Sequence, residues 1–227
     1  MISTKIKFSN FFNRFFAFVI LLIVTGLLHA QVDSGSGIYL QGGIAFVNFN
    51  ESATIFAGGA ELTGSDASVS NGTTLGLGIG YSFNSKISAI LLIGVPPKTD
   101  VIGLGGPVDG VPVGTLQYAP SILAVNYHFQ FGKFQPFVGA GLNYTMILKE
   151  TDGLIADINA ENMIAPTLRL GFELMFDENI GIFAVVNQIW GNTNVKGTAP
   201  ASLGSAPIVA EVKLNPTIIG TGVTYRF

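Results

Sequence analysis

Bulky apolar residues alternate with small or polar residues along much of this chain. The clearest case lies at residues 73–83, where the two sets are Leu75, Leu77, Ile79, Tyr81 and Phe83 against Gly76, Gly78, Gly80 and Ser82. Alternation at every second position places successive side chains on opposite faces of a β-strand, whereas an amphipathic helix repeats about every 3.6 residues. The pattern therefore predicts strands with one bulky apolar face and one small, more polar face.

The same alternation recurs in eight segments, which we predict to be eight strands. They span residues 37–49, 73–83, 87–95, 115–129, 133–148, 163–176, 180–191 and 211–227. The fifth segment alternates over about 15 residues, whereas strands of soluble proteins usually have about 5 to 6 residues. A helix is disfavoured there because Gly139 and Gly141 would each cost about 1 kcal/mol relative to alanine. Strands of this length indicate a sheet that crosses a thick layer.

The connections between the predicted strands alternate in length. Those after the first, third, fifth and seventh strands are long, and those after the second, fourth and sixth are short. Outer-membrane β-barrels have this arrangement, with short periplasmic turns and longer extracellular loops. A soluble barrel such as a lipocalin is the alternative, but its outward face would be strongly polar. The sequence predicts an all-β fold, an eight-stranded antiparallel up-and-down transmembrane β-barrel.

The first thirty residues form a separate unit. Lys5, Lys7 and Arg14 precede an apolar run at residues 15–28, and Ala30 provides a small residue at a cleavage site. These features are typical of a secretory signal peptide, and the run is shorter than the roughly 20 residues that a spanning helix needs. We predict a signal peptide at residues 1–30, cleavage near Ala30, and a single barrel domain at residues 31–227 in the bacterial outer membrane.

The composition agrees with export to a membrane. Charged residues make up 11% of the chain, against about 25% in typical soluble proteins. Loss of residues 1–30 removes three of the eleven basic residues and none of the fourteen acidic ones, leaving a net charge of −6. That charge disfavours nucleic acid as a partner. The chain has no cysteine, so we expect its stability to depend on the strand network.

Three segments resemble the outer-membrane protein W (OmpW) family. Similarity to the family's central hairpin lies in Thr-Leu-Gln-Tyr-Ala-Pro-Ser-Ile-Leu-Ala-Val-Asn-Tyr-His-Phe at residues 115–129 and Phe-Gln-Pro-Phe-Val-Gly-Ala-Gly-Leu-Asn-Tyr-Thr at residues 134–145. The terminal Gly-Val-Thr-Tyr-Arg-Phe fits as well. The family usually has a proline pair before the fourth strand, where this chain has Ala119-Pro120. The resemblance implies an eight-stranded barrel with an apolar interior, proposed to pass small hydrophobic molecules.

Several positions on the inward faces of the predicted strands are candidates for lining the lumen and binding a ligand. They are Ile90, Leu92, Phe137, Asn143, Thr145, Ile147, Arg169, Glu173 and Ile218. An interior with so many apolar residues suits an apolar ligand better than ions. Arg169 and Glu173 lie four residues apart on one strand, about 13 Å at roughly 3.3 Å per residue, so we expect each to have a partner on a neighbouring strand. They either fill the lumen as buried charges or take part in ligand passage.

The last strand carries a second candidate set. Val223, Tyr225 and Phe227 share its outward face, and the chain ends on the aromatic residue. Such an ending looks like the signal by which the outer-membrane assembly machinery recognises its clients. The alternative is an ordinary last strand that happens to end in phenylalanine.

Catalytic and metal sites have few candidate residues. Apart from His29 in the predicted signal peptide, His128 is the one histidine in the sequence, so a catalytic triad or a metal cluster would depend on it. It lies beside a short turn, whereas lipid-modifying barrel enzymes work at the opposite, outer leaflet. Glu150, Asp152 and Asp157 lack the turn glycine and the bidentate last ligand of a calcium loop. We expect no enzymatic activity, no metal and no cofactor.

Two functions follow as hypotheses. The first is a narrow conduit or binding cavity for small hydrophobic molecules, because eight strands enclose an interior that side chains just fill or that holds one small ligand. The second is a structural or surface-interaction protein that acts through its acidic extracellular loops, with the barrel as an anchor in outer-membrane lipid.

Overall fold

The computed structural model describes residues 35–201 and 204–227, so the predicted signal peptide and its cleavage site lie outside the described residues. Within these two ranges no helix is long and apolar enough to cross a membrane. The described chain forms fifteen strands and a 3₁₀-helix at Gly106–Val108. In order the strands are β1 (Gly37–Asn48), β2 (Glu51–Ala57), β3 (Ala60–Glu61), β4 (Asp66–Val69), β5 (Gly72–Ser82), β6 (Ile87–Gly94), β7 (Lys98–Leu104), β8 (Pro112–His128), β9 (Phe134–Asp152), β10 (Ala156–Ala160), β11 (Met163–Met175), β12 (Ile180–Ile189), β13 (Gly191–Thr198), β14 (Pro207–Leu214) and β15 (Thr217–Arg226).

Eight of these strands close into an antiparallel barrel, which confirms the predicted fold class. The order around the barrel is β1, β5, β6, β8, β9, β11, β12 and β15. The pairing of β8 with β9 closes the ring. The first and last strands of the chain are also paired, since β15 pairs with β1 from Tyr39–Arg226 to Asn48–Thr217. Closure leaves the barrel with no free edge strand, as a structure within hydrocarbon requires.

The outward face of the barrel is apolar. Exposed side chains on it include Leu75, Leu77, Ile79, Val125, Leu142, Leu168, Leu170 and Val223. Aromatic rings lie at the end with the short turns, where Tyr127 contacts Phe129 edge to face and Tyr225 contacts Phe227 in the same way. Trp190 is exposed where β12 meets β13, at the other end. An apolar belt with aromatic residues at its margins is the surface that a membrane barrel presents to lipid.

The short turns are closed by side-chain caps. In the turn between β11 and β12, the backbone N–H groups of Ile180 and Asn179 donate to Asp177 Oδ1 at 2.7 and 2.8 Å. These two bonds hold the pKa of the Asp177 carboxyl below its usual value. Asn84 caps the turn between β5 and β6 in the same manner, with Lys86 and Ile87 as donors. Asp and Asn favour such turns because their short side chains reach backbone N–H groups two or three residues further on.

The four long connections form strands, whereas the sequence predicted only long loops there. A second sheet has the order β10, β13, β14, β2 and β3, while β4 and β7 extend the barrel sheet beside the outer end of β8. We call these seven strands, with the outer ends of β8 and β9, the crown. Glu51 joins the two sheets by accepting hydrogen bonds from Ser68 Oγ and Val69 N, both at 2.9 Å. Asp66 does the same by accepting from Ala53 N.

The bounds of several strands also differ from the prediction. The last predicted strand, at residues 211–227, is two elements, because β14 ends at Leu214 and β15 begins at Thr217. Pro216 lies between them, and proline has no N–H to continue a ladder. The fourth and fifth predicted strands are longer than expected, since β8 and β9 run on from the barrel into the crown.

Candidate functional site

The interior of the molecule is divided along the barrel axis. Two apolar cavities occupy the crown and the outer half of the barrel, and a polar cluster fills the half next to the short turns. Both parts are built from inward side chains of the alternating strands.

The barrel cavity has a volume of about 70 Å³. Its wall is mostly apolar, and Gln41 and Asn187 supply polar atoms. Gly76 contributes open space to it, because a Cβ there would meet no atom within 4 Å. The lining residues are Gln41, Gly43, Ile44, Ala45, Val47, Thr74, Gly76, Leu92, Ile93, Gly94, Pro120, Ser121, Ile122, Phe183, Val185, Asn187, Ile218 and Gly220.

The crown cavity has a volume of about 90 Å³ and is lined almost entirely by apolar side chains. Its lining includes Ile55, Leu62, Ala67, Val101, Val108, Val111, Val113, Leu116, Leu154, Ile155, Ile158, Val195, Ile208, Ala210 and Val212. We did not predict these residues as site residues. The signal was present in β14, where Ile208, Ala210 and Val212 alternate with Glu211 and Lys213.

An apolar constriction separates the two cavities. Met163 and Ile189 are buried there, and the half-buried Phe49 and Leu214 pack against the same cluster. The ring of Phe49 lies edge-on to the ring of Tyr118, with 6.1 Å between the centroids. A small apolar molecule that moves between the cavities therefore meets side chains of its own polarity.

Glu173 is the centre of the polar cluster. Gln41 Nε2 donates to Glu173 Oε1 at 2.8 Å, and Arg226 forms a salt bridge with Glu173 Oε2. Arg226 also donates to Gln135 Oε1 at 2.7 Å. We had expected Glu173 to pair with a neighbouring strand, but its charged partner Arg226 lies on β15, two strands away across the narrow lumen.

Arg169 belongs to the same cluster but has no carboxylate partner. Its guanidinium Cζ lies 5.8 Å from the ring centroid of Phe137. Among the described residues no Asp or Glu oxygen lies within salt-bridge distance of it, and its buried Nε and Nη1 atoms have no hydrogen-bond partner. The neighbour-strand partner of Arg169 is therefore the Phe137 ring on β9 and not a charged group.

His128 is part of a buried hydrogen-bond chain. Its Nε2 lies 2.9 Å from Ser88 Oγ, which lies 3.1 Å from the hydroxyl of Tyr39. Nδ1 of His128 has no hydrogen-bond partner in the described chain, so no carboxylate orients the ring as a catalytic triad requires. Across residues 35–201 and 204–227, no group of three or more His, Cys, Asp or Glu side chains could hold a metal ion.

The candidate lining residues lie at three levels. Leu92 and Ile218 line the barrel cavity. Ile90, Phe137 and Asn143 are each 1% exposed and pack inside the barrel. Thr145 and Ile147 are half-buried at the outer end of β9, where Thr145 Oγ1 donates to Asn143 Oδ1 at 2.9 Å.

The residues predicted for assembly lie on the outer surface. Val223, Tyr225 and Phe227 are exposed by 53%, 41% and 71%.

The wall of the barrel cavity has a weak seam between β6 and β8. Paired residues stop at Ile93–Ser121 and resume only at Lys98–Gln117, where β7 has replaced β6. Pro120 lies in this gap and provides no N–H. Tyr118 N donates to Pro97 O, and His128 N donates to Lys86 O. The backbone nitrogens of even-numbered residues in β8 therefore point toward β6. Pro120 is one of these residues, so its missing N–H is missing on the side of β6. The outward residues Ile93 and Ser121 beside this seam, and the outward residue Ile44 on β1, also line the cavity.

Comparison with known proteins agrees with the fold. Dibenzothiophene metabolism operon protein PahQ of Pseudomonas aeruginosa is 29% identical over 82% of this chain and 86% of its own length. Outer membrane protein AlkL of Ectopseudomonas oleovorans is 28% identical over 83% of this chain and 84% of its own length. The crystal structure of OprG from Pseudomonas aeruginosa matches with a TM-score of 0.80 at 25% identity, covering 85% of this chain and 96% of OprG. The model of the OmpW family matches residues 34–227, and the chain belongs to this family of outer-membrane β-barrels.

Proposed function

We propose that this protein takes up small hydrophobic molecules across the outer membrane. A molecule would enter the crown cavity, pass the constriction into the barrel cavity, and leave sideways into the membrane through the seam between β6 and β8. The observation that carries the proposal is the stacking of two apolar cavities above a polar cluster. The lining of both cavities is mostly apolar, so a hydrocarbon gains by leaving water at each step.

The polar cluster argues for a sideways exit. Arg169 and Glu173 are 2% and 1% exposed, and they fill the lumen between the barrel cavity and the periplasmic end. An apolar molecule that continued along the axis would have to displace the bonds of Glu173 to Gln41 and Arg226, at the cost of leaving a buried charge unpaired. The seam offers a route in which the molecule passes from an apolar cavity to apolar lipid.

The comparisons support the same class of ligand. The name of PahQ associates that protein with the metabolism of dibenzothiophene, an apolar aromatic compound. The surface-interaction alternative has less support, because the long connections are paired into strands that surround an apolar cavity.

Filling the barrel cavity tests this function. A Cβ added at Gly76 meets no atom within 4 Å, and Gly76 lines the barrel cavity, so the side chain of Gly76→Leu occupies space at the cavity. We expect uptake of radiolabelled naphthalene by cells that express Gly76→Leu to fall several-fold, to near the level of cells without the protein. The measurement is the initial uptake rate, normalised to the amount of folded barrel in the outer membrane.

Gly72→Leu is the matched control. Gly72 lies on the same strand with the same inward parity and equally open surroundings, but it does not line the barrel cavity. Uptake by the Gly72→Leu variant should stay close to that of the unmodified protein. If Gly76→Leu cells take up naphthalene as fast as Gly72→Leu cells, the barrel cavity is not on the route and the proposal fails.

A further inference from the structure

Arg169 carries a buried positive charge that the fold does not neutralise. The residue is 2% exposed, and its Nε and Nη1 donors have no partner among the described residues. The Phe137 ring beside it attracts a cation weakly and accepts no conventional hydrogen bond. A buried charge of this kind is costly unless something pairs with it.

The nearby carboxylate cannot serve this purpose. Glu173 Oε1 accepts from Gln41, and Glu173 Oε2 is bound by Arg226. The cluster therefore contains two guanidinium groups and one carboxylate, which is bound by Arg226, so it keeps an excess of one positive charge. An anion that entered from the barrel cavity would supply the missing counter-charge.

Arg169 does not itself line the barrel cavity, but its ladder partner does. Arg169 is directly paired with Asn187 in the β11–β12 ladder, so the two inward side chains lie next to each other. Asn187 lines the barrel cavity, as does Gln41. Asn187 Oδ1 and Gln41 Oε1 are buried acceptors with no partner in the described chain. The barrel cavity thus presents unpaired acceptors from Gln41 and Asn187, and the unpaired donors of Arg169 lie behind Asn187, beside the Phe137 ring.

We propose that the barrel cavity is a selective binding site for small hydrophobic hydroxy acids, with the carboxylate on Arg169 and the hydroxyl donating to Gln41 or Asn187. The apolar part of the ligand packs against residues such as Leu92, Ile122 and Val185. This inference rests on the proposed function, because the acid reaches the site through the same cavities. It adds that the protein distinguishes a polar acid from a plain hydrocarbon of similar size.

Three probes of similar shape test the carboxylate contact and the hydroxyl contact separately. Mandelate has a phenyl ring, a carboxylate and a hydroxyl; phenylacetate lacks the hydroxyl; and phenylethanediol lacks the charge. Binding is measured by equilibrium dialysis against the purified full-length mature barrel in lipid nanodiscs. We expect mandelate to bind about tenfold or more tightly than phenylethanediol, the factor typical of one hydrogen bond to a charged group. Mandelate should also bind more tightly than phenylacetate.

Variants at Arg169 and Asn187 test whether these residues cause the preference for mandelate. Arg169→Met should bind mandelate and phenylethanediol equally, whereas Arg169→Lys, which keeps the charge, should retain part of the preference for mandelate. Asn187→Leu should lose most of the preference for mandelate over phenylacetate. Lys133→Met is the control, because Lys133 is a cation at the periplasmic mouth whose Nζ bonds Phe176 O, outside the barrel cavity. Its binding ratios should equal those of the unmodified protein.

The outcomes distinguish this inference from the function on which it rests. Equal binding of mandelate and phenylethanediol by the unmodified protein, or a full preference in Arg169→Met, overturns the acid site and leaves hydrocarbon uptake standing. Absence of binding by all three probes also overturns the acid site, whereas hydrocarbon uptake is decided by the naphthalene measurement with Gly76→Leu. If Arg169→Met does not insert, the comparison of Arg169→Lys and Asn187→Leu with the unmodified protein still decides the question.

Discussion

Two glycines on the same face of β5 show how single residues divide the barrel into cavity and cluster. Gly76 leaves open space and lines the barrel cavity. Gly80, four residues along, is covered by the ring of Tyr39, its register partner on β1. The phenol hydroxyl of Tyr39 lies 3.1 Å from Ser88 Oγ, so the ring ties β1 to β6 over the glycine. The same residue type therefore makes room for a ligand at one level and for a protein side chain at the next.

Gly80→Ala should destabilise the barrel. A Cβ at Gly80 would overlap the Tyr39 ring, and moving the ring would break its bond to Ser88. Overpacking of this kind typically costs about 1–3 kcal/mol. The measurement is the free energy of unfolding in urea from lipid vesicles. Gly76→Ala is the control, since its Cβ meets nothing within 4 Å; equal stability of the two variants would contradict the packing described for Tyr39.

The partners of individual inward residues could be predicted from the sequence only in part. The alternation was enough to place Arg169, Glu173 and Phe137 among the candidate lining residues, and all three are buried. The sequence did not indicate that Glu173 would pair with Arg226 or that Arg169 would lack a carboxylate. Contacts across a lumen depend on strand tilt and register, which the period of a strand does not determine.

Among the strands, those of the barrel were predictable and those of the crown were not. Barrel strands carry a long apolar face because lipid lies outside them, as in β5 and β11. Crown strands such as β4 and β10 are short and face water on the outside, so their polar residues predict a loop. The alternation does appear in β14, but it keeps the same parity into β15, and the prediction did not treat Pro216 between them as a break.

Restoring the missing hydrogen-bond donor in the seam should close it. Pro120→Val provides an N–H directed toward β6, and valine favours strand geometry. We expect Pro120→Val to slow naphthalene uptake several-fold while thermal stability stays equal or rises. Uptake is measured in whole cells, and stability by the heat needed to unfold the barrel on a gel.

Ala119→Val is the matched control for the seam. It adds a similar side chain at the adjacent position, where the backbone N–H is already present and faces β9, the opposite neighbour of β8. Unchanged uptake in Pro120→Val, or an equal loss in Ala119→Val, would show that the exit does not lie between β6 and β8.

The crown and the barrel form one continuous assembly because two strands belong to both. β8 and β9 pair with each other from His128–Phe137 near the short turn to Gly114–Asp152 in the crown. A register shift between Gln117 and Tyr118 marks the point where barrel becomes crown. The two cavities therefore lie along the same pair of strands, which is why loop deletions would disturb the route as well as the surface.

The integrity of the whole molecule depends on the closure between β1 and β15. Phe227 N donates to Ile38 O at 3.0 Å, and the Phe227 ring packs on Tyr225 on the outward face. In hydrocarbon an unpaired strand edge costs several kcal/mol for each unsatisfied group.

We expect deletion of Phe227, or Tyr225→Asp, to reduce insertion strongly, because each damages the lipid-facing end of the closing strand. Thr224→Ala should insert normally, since Thr224 faces inward and its buried hydroxyl has no partner in the described chain. The measurement is the fraction of mature protein in the outer membrane that stays compact and heat-modifiable on a gel, and equal fractions for all three variants would refute the role of this face in assembly.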